Sequence, residues 1–199
     1  EDVVFNWAYM RANIRPLLGL TAPIAVTFVI QTFIQTISLM FVGRVDGALL
    51  GSCALATMMC NLTGYSLSFG MCGALDVLIG QAYGAKEYRL MGLYVQRAVV
   101  ILSLSCVPVA IMWSQTGAIL QHLLFIDSAI AASANRWTTL AIAGLWPTVM
   151  YEILRKFLQA QKLVWPIIAA TGVATVVHIF NNWLAVVHLG MGFDGAAIA

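Results

Sequence analysis

The side chains in this chain with the capacity for chemistry are mostly uncharged amides, hydroxyls and one imidazole, and they recur at helical spacing inside otherwise apolar stretches. Thr27, Gln31, Gln35 and Ser38 follow one another at intervals of four, four and three, which puts them on one helix face. Thr57, Asn61, Gly64, Ser68 and Cys72 form a second row; Thr171, Thr175, His178 and Asn182, with Asn181 beside them, form a third. An amide turned toward lipid is costly, so each row must face protein or a wet cavity. Two chemistries follow. The rows either bond helix to helix, or they line a polar chamber for a soft, weakly hydrated solute. An imidazole is the side-chain type that ordinarily titrates near neutral pH, so His178 keeps a proton-linked role open beside that of a satisfied buried histidine.

Other arrangements are excluded by their absence from the sequence. No nucleophile–base pair or metal-ligand cluster is visible, and Gly80-Gln81-Ala82-Tyr83-Gly84 lacks the Lys-Ser/Thr ending of a phosphate loop. Neither an enzyme nor a bound cofactor or metal is expected. Asp76 is the sole acid inside the first three apolar stretches, near an end, where a coupling role and a hydrated or capped carboxylate both remain open. Cys53, Cys60, Cys72 and Cys106 form no CxxC pair and read as small apolar packing residues. Asn61-Leu62-Thr63 matches a glycosylation sequon but lies mid-span, out of reach of the lumenal enzyme.

The elements that must position these rows are membrane helices. Of 199 residues, 61% are hydrophobic and 9% charged, with a mean hydropathy of +0.90. Soluble domains carry about 25% charged residues, and so few charges cannot cover a soluble core. A net charge of +2, with the cations in flanking loops, excludes nucleic acid as a partner. The partner is the lipid bilayer.

Residues 1–15 read as a short N-terminal segment with Trp7 and Tyr9 at the interface and Arg11 and Arg15 beside the headgroups. Spans follow at about 16–42, 49–80, 90–113, 130–157 and 165–188, with a sixth starting near 193. The first runs without a charge for more than the ~20 residues a crossing needs. Pro23, Pro108 and Pro147 are expected to bend their spans. Gly43, Gly47 and Gly51, around Arg44 and Asp46, read as a tight turn; Ala118 to Ile126 reads as an amphipathic surface piece that leaves His122 facing solvent. Arg136 and Trp137 mark the outer end of the fourth span. At its other end, Glu152 with Arg155 or Lys156 has the spacing of an intrahelical pair, a solvated or paired anchor. Arg11, Arg15, Lys86, Arg89, Arg97, Arg155, Lys156 and Lys162 all fall on one side, and only Arg44 and Arg136 on the other, which places the N-terminus in the cytoplasm.

The stretch from Gly70 to Arg97 carries more specific wording. Ala74-Leu75-Asp76-Val77-Leu78-Ile79-Gly80-Gln81-Ala82-Tyr83-Gly84-Ala85-Lys86-Glu87-Tyr88, followed by the helix start Gly92 to Ala98, resembles the multidrug and toxic compound extrusion (MATE) transporters. Leu39 to Gly43 resembles the end of the family's first helix, Asn61 to Ser66 the middle of its second, Arg155 to Gln161 the end of its fourth, and Gly192 to Ala199 the start of its sixth. Five segments in the family's order span nearly the whole chain.

The resemblance implies an all-α polytopic bundle, five full helices and the start of a sixth, equivalent to the first of two six-helix lobes. It implies exchange of an organic cation or similar solute for H⁺ or Na⁺. Gln31, Gln35 and Thr175 by their polar rows, and Asn61, His178 and Asn182 also by the resemblance, are expected along the substrate and cation pathway, and Asp76, Gly80, Gln81 and Gly84 in an inner-loop motif. Ser38 stands where many bacterial relatives carry an Asp, and a hydroxyl cannot take up a coupling proton; the segment therefore resembles the eukaryotic type, whose coupling Glu lies in a C-terminal lobe not represented here. His178 and Asn182 stand where bacterial relatives often place two Asn, which favours H⁺ over Na⁺. The membrane is expected to be the plasma membrane or that of a vacuole or another organelle. Alternatives are a lipid-linked-precursor flippase, disfavoured because the polar rows hold no Arg or Lys, and a non-transporting membrane scaffold, in which the rows are interhelical glue.

Overall fold

Inside a bilayer every backbone polar group needs a partner within the protein, which helices supply segment by segment. The computed structural model describes residues 7–45 and 47–198, and among these every regular element is helical. The elements are α1 (Trp7–Val45), α2 (Gly47–Cys60), α3 (Ser66–Gly84), α4 (Tyr88–Ser114), α5 (Thr116–His122), α6 (Ser128–Ala160), α7 (Trp165–Asn182) and α8 (Gly192–Ile198). A π-helical turn, Asn61–Tyr65, joins α2 to α3, and another, Trp183–His188, extends α7. The side chains of Trp7, Tyr9, Arg11, Arg15 and Pro23, and residue Asp46 altogether, lie outside the described residues.

Several boundaries differ from the sequence expectation. The segment before residue 16 is not separate: α1 begins at Trp7 and runs unbroken to Val45, because that stretch is rich in good helix formers. α4 and α6 carry Pro108 and Pro147 inside the helix and are helical on both sides of them. The surface piece is α5, which starts two residues earlier and ends four residues earlier than expected. It is no loose amphipath, since Leu120 and Thr116 are fully buried against α6, while His122 is exposed.

The bend after α3 is also not made by glycine. The helix extends through Gly80 and Gln81 to Gly84, and Lys86 takes the left-handed conformation (φ 61°). Glu87 N–H donates to the Ala82 carbonyl (2.9 Å) and Lys86 N–H to that of Tyr83 (3.1 Å), the paired closure of a Schellman cap. The turn after α6 repeats it, with Lys162 at φ 60°. A lysine tolerates this strain at a helix C-terminus, where its charge meets the exposed carbonyls and the negative end of the dipole.

α6 is the spine, packed against α2, α3, α4, α5 and α8, while α1 lies against α2, α7 and α8. Its C-terminal half contributes Leu145, Val149 and Ile153 to one core with Leu75, Ile79, Leu102 and Trp113. Its N-terminal half contributes Ala131, Ala134 and Trp137 to a second with Val42, Cys53, Ala56 and Val186. Among the described residues four stretches (24–44, 49–84, 88–114 and 165–188) are long and apolar enough to cross a membrane by length and composition. α6, the expected fourth span, is not among them. Its 33 residues reach about 50 Å, but a helix packed against five others does not need an apolar surface all round.

The π-helical turn at Asn61–Tyr65 depends on Gly64. A Cβ there would lie 2.4 Å from Cζ2 of Trp113, a ring that is 1% exposed and whose Nε1 donates to Thr63 Oγ1 at 3.0 Å. A rigid, hydrogen-bonded indole cannot retreat cheaply. Gly64→Ala is expected to cost about 1–3 kcal/mol, read as a lower thermal midpoint in detergent. Gly195→Ala should act similarly, because its Cβ would sit 2.8 Å from the Ala185 carbonyl oxygen.

Candidate functional site

Four helices converge on a cavity of about 160 Å³. α1 supplies Gln35 and Ser38, α2 and the π-helical turn supply Thr57, Asn61 and Tyr65, α6 supplies Trp137, and α7 supplies His178. Among the described residues no acid, lysine or arginine lines it.

The π-helical turn decides which residues of the second polar row arrive here. An extra residue per turn rotates everything after it by about 100° relative to an α-helix. Thr57 and Asn61 therefore face the cavity, whereas Gly64, Ser68 and Cys72 are buried in the protein. Asn61 is exposed at the cavity wall, and Thr63, two residues on, is tied to Trp113 and to the Met59 carbonyl (2.6 Å).

His178 is held from two sides. Its Nε2 lies 2.9 Å from Ser38 Oγ on α1 and 3.1 Å from Asn182 Nδ2 on α7. Asn182 Nδ2 also donates to the His178 carbonyl at 3.0 Å, which fixes the orientation of the amide. An amide N–H thus points at Nε2, so this nitrogen is an acceptor in the structure. Protonating it would set two donors against each other at Asn182, while the Ser38 hydroxyl can turn from donor to acceptor.

The remaining expected pathway residues are placed differently. Gln31, one turn from Gln35, is half-buried and does not line the cavity. Thr175 donates to the Thr171 carbonyl (2.7 Å), and Thr171 Oγ1 meets Tyr151 Oη at 2.9 Å, so these two threonines serve α7 and its contact with α6. Asn182 is fully buried behind His178. Trp137, expected at the membrane surface, instead packs on Phe193 with ring centroids 5.2 Å apart and faces the cavity. Its neighbour Arg136 is exposed and paired with Asp194 of α8. An apolar ring near a span's end is compatible with either position, so no signal in the sequence separates them.

At the other end of the bundle, Asp76 pairs with Lys156 (2.5 Å), joining α3 to α6. Glu152 pairs with Arg155 (2.5 Å) and not with Lys156. This second pair is no solvated anchor: Glu152 is 3% and Arg155 2% exposed, with the guanidinium 4.8 Å from the Phe28 ring centroid. Gly80, Gln81 and Gly84 form the last turns of α3, and the Gln81 carbonyl accepts from Ala85 N–H at 2.9 Å. They shape the turn and lie apart from the cavity. All four cysteines are free thiols.

This architecture has close counterparts. Residues 23–184 match the MatE family model. DETOXIFICATION 16 of Arabidopsis thaliana is 35% identical over 193 residues, covering 96% of this chain and 39% of that protein. DETOXIFICATION 14 of the same organism is 37% identical over 166 residues, 83% of this chain and 34% of that protein. The crystal structure of the eukaryotic MATE transporter AtDTX14 superposes with a TM-score of 0.84 at 36% identity, over 90% of this chain and 40% of that one. The chain thus spans well under half the length of these relatives, the last of which is a transporter. Its apolar helices, its fold and its sequence together make it a multi-pass integral membrane protein of the MatE family.

Proposed function

We propose that this chain is the N-terminal lobe of a proton-coupled antiporter that exports organic cations or similar solutes by alternating access between two lobes. The observation that carries the reading is the convergence of Gln35, Ser38, Thr57, Asn61 and His178 from three separate stretches of chain on one cavity in an apolar bundle. Its volume of about 160 Å³ is below the ~300–1,000 Å³ of typical ligand pockets, as befits one wall of a chamber whose other wall belongs to a second lobe. Amide and hydroxyl groups beside Tyr65 and Trp137 suit a bulky, weakly hydrated cation, which aromatic faces attract. The absence of carboxylates among the described residues of this wall disfavours Na⁺, and His178 is the imidazole on it. The N-terminus lies in the cytoplasm of a plasma or vacuolar membrane, with Lys86, Arg89 and Lys162 on the same side.

The test is tetraethylammonium transport by the complete gene product in vesicles. Uptake driven by an imposed pH gradient is expected. Failure to move any organic cation under that gradient would sink the function, and uptake driven by Na⁺ alone would sink the coupling. A second measurement separates a pathway from interhelical glue. In a background without Cys53, Cys60, Cys72 and Cys106, Gln35→Cys and Asn61→Cys are expected to react with a membrane-impermeant thiol reagent, and Val176→Cys, 67% exposed on the apolar surface of α7, is not. Equal protection of all three would favour the scaffold.

A further inference from the structure

A second cavity, of about 320 Å³, opens between α3 and α4 on a surface remote in character from the polar chamber. Its floor is apolar: Ala74 and Leu78 of α3 face Ala98 and Ile101 of α4, and the two alanines create the depth. Tyr94 and Arg97 are the polar members of its wall. Arg97 is exposed, and no carboxylate reaches it, since the ion pairs among the described residues are Arg136–Asp194, Arg155–Glu152 and Lys156–Asp76.

The depth of Arg97 follows from the helix. Residues 98–114 carry no charge, and 17 residues rise about 26 Å, close to the ~30 Å hydrocarbon thickness. Arg97 is therefore at the headgroup boundary, with Ala98 and Ile101 below it among the acyl chains. Beyond it lie Lys86 and Arg89, opposed by Glu87. Asp76, the nearby acid of α3, is occupied by Lys156.

We infer that this groove binds one anionic phospholipid, with an acyl chain along Ala74, Ala98 and Ile101 and the phosphate at Arg97 and Tyr94. A guanidinium holds a phosphate by paired N–H bonds, and basic pockets between helices at the membrane surface suit anionic headgroups. The apolar floor distinguishes a lipid from a soluble phosphate, which would have no use for it.

The experiment is native mass spectrometry of the complete gene product in detergent, titrated with phosphatidylglycerol or phosphatidylcholine of matched chains. Wild type is expected to retain one phosphatidylglycerol at roughly tenfold lower lipid concentration than phosphatidylcholine, and inorganic phosphate should not displace it. Arg97→Gln should abolish the preference and Arg97→Lys restore part of it. Arg89→Gln, which removes a charge of the same helix outside the groove, should keep it. Ala98→Phe should weaken retention of both lipids, with the thermal midpoint reporting that the fold persists. An undiminished preference in Arg97→Gln, an equal loss in Arg89→Gln, full retention in Ala98→Phe or displacement by inorganic phosphate would each overturn the assignment.

Discussion

His178→Ala is expected to lower pH-gradient-driven transport by the complete protein at least about tenfold, or about 1.4 kcal/mol of barrier, while barely changing stability. The hydrogen bonds lost, to Ser38 and Asn182, are of a kind worth on average about 0.6 kcal/mol inside membranes, and the Ser38 hydroxyl freed by the substitution opens onto the cavity. Under the proposed proton coupling, the larger loss falls there. As the structure stands, Asn182 donates toward Nε2, so binding a proton there must turn the Ser38 hydroxyl and displace the Asn182 amide. That event would link protonation to the contact between α1 and α7. His178→Gln separates this from a packing role, because it retains a hydrogen-bonding side chain that does not titrate. Its transport should be lost while its thermal midpoint is kept, and its residual rate should show a flatter pH profile than wild type. A His178→Gln protein with wild-type rate and pH profile would remove the proton from this site. Asn61→Ala, which alters the wall without touching His178, should change apparent affinity more than pH dependence.

The second large effect is on folding. Arg155→Met is expected to destabilise the bundle by about 3–5 kcal/mol, because it leaves the Glu152 carboxylate buried without its cation. Both groups lie under the surface; Nη2 of Arg155 makes the ion pair, the guanidinium lies over the Phe28 ring, and among the described residues Nε and Nη1 have no hydrogen-bond partner. A buried pair of that kind is poor at repaying its own desolvation. The double substitution Glu152→Leu with Arg155→Met should therefore recover most of the loss. Lys156→Ala, which breaks the half-exposed pair to Asp76, should cost at most about 1 kcal/mol. Thermal unfolding in detergent by intrinsic fluorescence measures all three. A single Arg155→Met variant as stable as wild type would mean that Glu152 finds another partner or a proton without penalty.

The sequence by itself determined the fold class, the order of the spans and the family. Each is written in local quantities: apolar run lengths matched to the bilayer, charges between them, and ordered stretches such as Gly80 to Lys86. It also singled out Gln35, Asn61 and His178 as amides and an imidazole where lipid would reject them, and the structure brings these three to one cavity. Which members of each polar row meet was decided by the tertiary structure. Reading Thr57 to Cys72 as one face assumes 3.6 residues per turn, and the π-helical turn at Asn61 breaks that period, sending Gly64 under Trp113 and leaving Asn61 in the cavity. Hydropathy reports how a residue regards water, not whether its neighbour is lipid or protein. The central place of α6, the burial of Glu152 with Arg155, the inward turn of Trp137 and the partnership of Asp76 with Lys156 all arise from contacts between residues far apart in the chain. No local pattern encodes them, because their energies exist only once the helices have packed.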